Sequence, residues 1–196
     1  MSFMQLFHGT DHIIEVPDIH IGNPHNDYGM GFYCTRIDEM AREWACKKNT
    51  DGFVNIYSLD TEGLKTLNLL DGNHTVLNWI ALLLQFRTFK LDSAVALDAR
   101  DYIIEHYAID LGDYDIVVGY RADDSYFQYA ESFVSNTLPL RSLNLALKLG
   151  KLGDNAFAPA ISLNLLADVG TDFPIHINQL RIYCPHSSGS GIVDDL

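Results

Sequence analysis

The chain has 196 residues, 47% hydrophobic and 20% charged, which suits one folded domain with its own core and excludes a disordered chain. Thirteen Lys and Arg stand against 26 Asp and Glu, a formal net charge of −13. A field of that sign repels phosphate backbones, so general nucleic-acid binding and polybasic membrane binding are excluded.

Phe3 to His8 alternates apolar and polar residues and predicts a short strand, broken by Gly9-Thr10. Asp11 to Gly31 is rich in Gly, Pro, Asn, Asp and His and predicts a long loop, a kind that is often functional inside a domain. Gly31 to Thr35 is a brief strand. Thr35 is a natural N-cap for a helix over 36–48, where Ile37, Met40, Ala41, Trp44 and Ala45 recur at helical spacing. Phe53 to Leu59 alternates and predicts a strand. Helices follow at Asn73–Phe86, buried on most sides, and at Ser93–Tyr107, with Val95, Leu97, Tyr102, Ile103 and His106 mostly on one side.

Asp115–Tyr120 holds a short buried strand. Asp124–Phe133 and Leu140–Leu149 are two more helices, with Pro139 suited to the first turn of the second. Asn155–Leu163 and Phe173–Tyr183 are weaker strand signals, the first demoted by Pro159. His186–Leu196 has linker composition. The expected organisation is one domain over 1–185 with a flexible tail over 186–196. Strands and helices mix without regular alternation, so the fold class is α+β.

Cys34, Cys46 and Cys184 form no CxxC pair and are odd in number, and no HExxH or pair of Cys/His ligand clusters is present. Metal is therefore not expected. The start of the chain has no positive n-region, and its most apolar run, Trp79–Phe86, is far short of the roughly 20 residues that cross a bilayer. These features predict a cytoplasmic protein with reduced thiols.

Three segments carry candidate chemistry. In Leu6-Phe7-His8-Gly9-Thr10, an imidazole and glycine backbone end a strand, where a ligand can approach the main chain. In Asp27-Tyr28-Gly29-Met30-Gly31-Phe32-Tyr33-Cys34-Thr35, two glycines precede adjacent aromatics that point to opposite faces of a strand. One of these aromatics suits the core, and the other offers a flat face to a planar ligand. In Gly119 to Phe127, a buried strand runs through Arg121, Asp123 and Asp124 into a helix, so that one Asp is a natural N-cap and Arg121 is a cation near a candidate site. A satisfied histidine beside a turn and a hairpin with core aromatics are the simpler accounts of the first two.

Together these segments resemble a family of bacterial proteins catalogued as a domain of unknown function and grouped with the ADP-ribosyltransferases. Asp115–Phe127 and Leu147-Lys148-Leu149-Gly150-Lys151-Leu152-Gly153 also resemble it, and the likeness covers roughly residues 5–155. It implies a split, mixed β-sheet holding NAD as substrate, with no metal. It implies three catalytic positions. His8 hydrogen-bonds a ribose hydroxyl, Tyr33 stacks on the nicotinamide, and a Glu or Gln follows the Leu-Gly-Lys-Leu-Gly turn. Here Asp154-Asn155 stand at the third position, so Asn155 takes that role, with Asp154 and Glu131 as alternatives.

The resemblance further implies that Gly9 backbone groups take the carboxamide with help from Thr10. The assigned cofactor-binding set is Gly9, Thr10, Asp27, Gly29, Gly31, Phe32, Thr35, Arg36, Arg121 and Asp123. The implied function is a toxin- or effector-like NAD-dependent ADP-ribosyltransferase, a glycosyltransferase that passes ADP-ribose to a macromolecular acceptor and releases nicotinamide. A small antitoxin protein is a further implied partner. The alternatives are a catalytically impaired relative that binds NAD or a protein, and an acidic mimic that docks on a basic partner.

Overall fold

A computed structural model describes residues 3–46, 50–121, 124–149, 162–165 and 176–182. They form a mixed α+β architecture with two small sheets and, among the described residues, five α-helices. The chain gathers into two compact units.

The first unit comprises the described residues within Met1–Pro17, Cys34–Gly63 and Val169–Leu196. Its sheet runs β1–β3–β7, built from β1 (Phe3–Thr10), β3 (Gly52–Asp60) and β7 (His176–Ile182), all antiparallel. The β1–β3 register pairs Leu6 with Tyr57, His8 with Asn55 and Gly9 with Val54. Side chains alternate across a strand. Phe7, Gly9, Val54 and Ile56 therefore share one face, and Leu6, His8, Asn55 and Tyr57 share the other.

Helix α1 (Asp38–Ala45) packs on the first of these faces, where Ala41, Ala45 and Val54 form a small cluster joined by Phe7 and Ile56. The helix is shorter than expected at its start, because Thr35 pairs with Phe7 in an isolated bridge and cannot begin it. Ile37 is the N-cap and provides no side-chain bond. Asp38 and Glu39 meet the positive helix end instead, and Asp38 also accepts from Arg42 at 2.8 Å. Cys34 is a buried free thiol. Cys46, at the C-cap of α1, is disulfide-bonded, which corrects the expectation of reduced thiols for that residue.

The second unit comprises the described residues within Asp18–Tyr33 and Leu64–Asp168. Its sheet runs β2–β6–β5–β4, from β2 (Phe32–Cys34), β6 (Ser162–Leu165), β5 (Ile116–Gly119) and β4 (Thr66–Asn68). β4 and β5 are parallel, and β5 and β6 antiparallel. β4 was not expected, since a three-residue strand with only Leu67 buried leaves no periodic signature.

Helix α2 (Val76–Phe86) is the centre of this core, with Trp79, Ile80, Leu82 and Leu83 at 0% exposure. Each such side chain contributes roughly 1.5–3 kcal/mol on burial. The helix starts at Val76 rather than Asn73, because the Thr75 amide donates to Asn78 Oδ1 at 2.8 Å and fixes the cap there.

Helix α3 (Ala94–Tyr107) is capped by Ser93 Oγ, which accepts from Ala96 N. Its buried residues are Ala96 and Ile103, seven apart on one stripe, whereas Val95, Leu97 and Tyr102 face outward. That corrects the expected apolar side of this helix. Helices α4 (Asp124–Val134) and α5 (Leu140–Leu149) bring Ala130, Val134 and Leu143 to the same core, across a turn with Asn136 at φ 59°. Among the described residues no helix is long and apolar enough to cross a membrane.

Candidate functional site

The first motif lies at the end of β1. The Phe7 amide donates to the Thr35 carbonyl at 2.8 Å, and the Thr35 amide donates back to the Phe7 carbonyl at 2.9 Å. Backbone groups two residues apart along a strand point to the same side. The N–H and C=O of Gly9 therefore face the same edge as those of Phe7, one pair beyond the bridge. The glycine itself has a packing reason. A Cβ at Gly9 would collide with the Ala41 carbonyl oxygen and lie 2.7 Å from the Ala45 amide nitrogen, and Gly52 meets the same helix in the same way.

His8 is half-buried on the opposite face of β1, across from Asn55. Asn55 is 1% exposed and holds the turn that follows. Its Oδ1 accepts from Ile14 N at 2.9 Å, and its Nδ2 donates to the carbonyls of His8 and His12 at 3.4 and 3.3 Å. Tyr57 Oη donates to the Ile14 carbonyl at 2.9 Å. Thr10 Oγ1 donates to Asp11 Oδ1, which also meets His12 Nδ1 at 2.6 Å. The imidazole and the hydroxyl hold the Asp11 carboxyl below its ordinary range. Sequence reasoning missed Asn55, Tyr57, Asp11 and His12. The available signal was Asn55 itself, a polar residue in register with Tyr57 and Leu59 on a buried strand face.

Thr35 is fully buried, and its Oγ1 accepts from Ile37 N at 3.2 Å, so it serves the junction between the bridge and α1. Arg36 is exposed.

The second motif folds within the other unit. Tyr28 is 1% exposed and donates to the Tyr120 carbonyl at 2.5 Å. Gly29 has φ +76°, and a Cβ there would lie 2.8 Å from the Phe86 ring, so both conformation and space require glycine. Gly31 is buried, and Phe32 is the core aromatic of the pair at 6% exposure. Tyr33 is half-buried. Its hydroxyl donates to the Gly29 carbonyl at 2.7 Å and accepts from Tyr28 N at 3.1 Å. Burial is the first cause that pushes the Tyr33 hydroxyl pKa well above its ordinary value.

Asp27 is buried and accepts from Arg87 Nη1 at 2.6 Å, and the Arg87 guanidinium lies 4.5 Å over the Phe127 ring. Arg87, directly after the apolar helix, was a further residue that sequence reasoning missed.

Arg121 is half-buried just after β5. Glu131 on α4 accepts from Lys90 N at 3.0 Å. Asp123, Asp154 and Asn155 lie outside the described residues. An open cavity of about 480 Å³ in the second unit, lined by Gln85, Phe86 and Ala108–Gly112, contains none of the predicted residues. Among the described residues no group of three or more His, Cys, Asp or Glu could hold a metal ion.

Fold and motifs together define a mixed α+β protein in which a His-Gly-Thr strand end is bridged by the last residue of an aromatic-glycine block. Residues 4–162 match the family described as "Protein of unknown function (DUF3990)", and the chain belongs to that family. The match spans nearly the same residues as the motif resemblance. No curated protein matches the chain, and no solved structure matches it.

Proposed function

We propose that this protein is an NAD-dependent ADP-ribosyltransferase that transfers ADP-ribose to a macromolecular acceptor and releases nicotinamide. The observation that carries this reading is the junction at Phe7 and Thr35, which ends the aromatic-glycine block on the His-Gly-Thr strand. Just past that bridge, Gly9 presents an amide and a carbonyl along one edge. A carboxamide needs one acceptor and one donor side by side, so nicotinamide suits that edge. His8 on the same strand supplies an imidazole for a ribose hydroxyl. Cleaving the glycosidic bond of NAD passes through an oxocarbenium-like transition state, and holding ribose and leaving ring in fixed pose lowers its barrier.

Incubation with NAD labelled in its adenylate half, in cell lysate, tests the reading. It predicts label on a macromolecule and free nicotinamide. Absence of both, for this chain and for an Asn155→Gln variant, rejects the enzyme. The second reading is an impaired relative that binds NAD, favoured by Asn155 standing where the resembled family has Glu or Gln. It predicts calorimetric NAD binding with no nicotinamide release.

A further inference from the structure

The transfer reaction leaves one task without a residue, which is removing the proton from the group that attacks ribose. We propose that His12 is the general base for that step, oriented by Asp11 and fixed in place by Asn55; the assignment rests on the NAD reading above. An ionised carboxylate only accepts hydrogen bonds, so the 2.6 Å contact between Asp11 Oδ1 and His12 Nδ1 requires the proton on Nδ1. When the ring is neutral, that proton leaves the lone pair on Nε2, on a side chain that is 65% exposed and open to an incoming acceptor. A carboxylate bonded to Nδ1 sets the tautomer of a catalytic imidazole in this way, here from a side chain that is itself 83% exposed. Thr10 Oγ1, a hydrogen-bond donor to the same Asp11 oxygen at 3.2 Å, steadies the carboxylate.

Neighbouring Asp and His on a loose loop would hold this geometry only transiently. Here the turn is anchored from below. The buried Asn55 amide engages the main chain of His8, His12 and Ile14, and Tyr57 closes on Ile14 from the same face. The backbone of the base and the backbone of His8 are thus held by one side chain, which is the support that a preorganised site needs.

The chemistry balances without another reagent. The bond from ribose C1′ to the nicotinamide nitrogen breaks, and its electron pair leaves with nicotinamide. The acceptor oxygen or nitrogen bonds to C1′, and its proton passes to His12 Nε2.

The experiment measures nicotinamide release at saturating NAD, with the NAD dissociation constant measured by calorimetry on the full chain. His12→Gln is expected to lower turnover by roughly 100-fold, the ordinary contribution of a general base, with the dissociation constant within about twofold of wild type. Asp11→Asn is expected to lower turnover less, and free imidazole is expected to restore part of the activity of His12→Ala, which a merely structural role would not allow. Turnover of His12→Gln within about threefold of wild type overturns the assignment, as does a loss that imidazole cannot rescue. A wild-type chain that neither binds nor cleaves NAD overturns the NAD reading, and this assignment falls with it.

Discussion

At the scale of single residues, two members of the aromatic-glycine block hold its fold together. Asp27 and Tyr28 support: one is buried against Arg87, and the other sends its hydroxyl to the Tyr120 carbonyl. Removing one partner of a buried pair leaves the other charge uncompensated. Asp27→Asn should destabilise the protein by about 2–3 kcal/mol in denaturant titration, below the roughly 3–5 kcal/mol of a fully buried pair, because the Arg87 side chain keeps 26% of its surface exposed. An unchanged midpoint would show that the pair contributes nothing. The block itself was legible as a unit because glycines and aromatics crowd nine residues. Its partner Arg87 was not legible, since 60 positions separate it from Asp27 and a single sequence carries no pairing signal across that gap.

At the scale of elements, the sheet of the first unit is shaped for a helix at close range. Gly9 and Gly52 leave β1 and β3 without side chains where α1 lays Ala41 and Ala45 against them. Gly9→Ala should displace α1, with a loss of at least about 1–3 kcal/mol from overpacking, read as a lower melting temperature. If that variant is as stable as wild type, the close approach is wrong, and glycine at this position would need a ligand-side reason.

The longer elements were legible because their periods repeat several times. The strand Phe53–Leu59 and the helices over 76–86 and 94–107 have enough turns or alternations to announce themselves. Thr35 misled because its capping chemistry competes with a backbone pair to Phe7, and only the tertiary fold decides between them. On α3 the large apolar residues do not mark the buried stripe. The buried stripe uses Ala96 and Ile103, while Val95 and Tyr102 point away from it. Of the candidate residues, His8 and Gly9 in the first unit and Tyr33 in the second stood out by motif. The Asn55 anchor did not, because its role depends on which face of β3 is covered.

At the scale of the whole molecule, four phenols wholly or partly shielded from water set the upper pH limit of its stability. Burial is the first cause that raises the pKa of Tyr28, Tyr33, Tyr57 and Tyr120 above the ordinary value of 10.0. A group whose folded pKa is raised binds its proton more tightly when folded. Its contribution is complete below pH 10 and is lost as pH climbs through the folded values. Stability should therefore fall steeply above about pH 10, with the tyrosinate absorbance of these residues appearing only as the fold is lost. Full phenolate absorbance in a still-folded protein at that pH would contradict their burial.

The proposed function requires this chain to bind NAD and break its nicotinamide bond. The most direct measurement is the rate of nicotinamide release by wild type beside His8→Ala and Tyr33→Ala, each checked for an unchanged far-ultraviolet dichroism spectrum. The account predicts release by wild type and loss of turnover in both folded variants. Folded variants that release nicotinamide at the wild-type rate would contradict it, as would a wild type that leaves NAD intact.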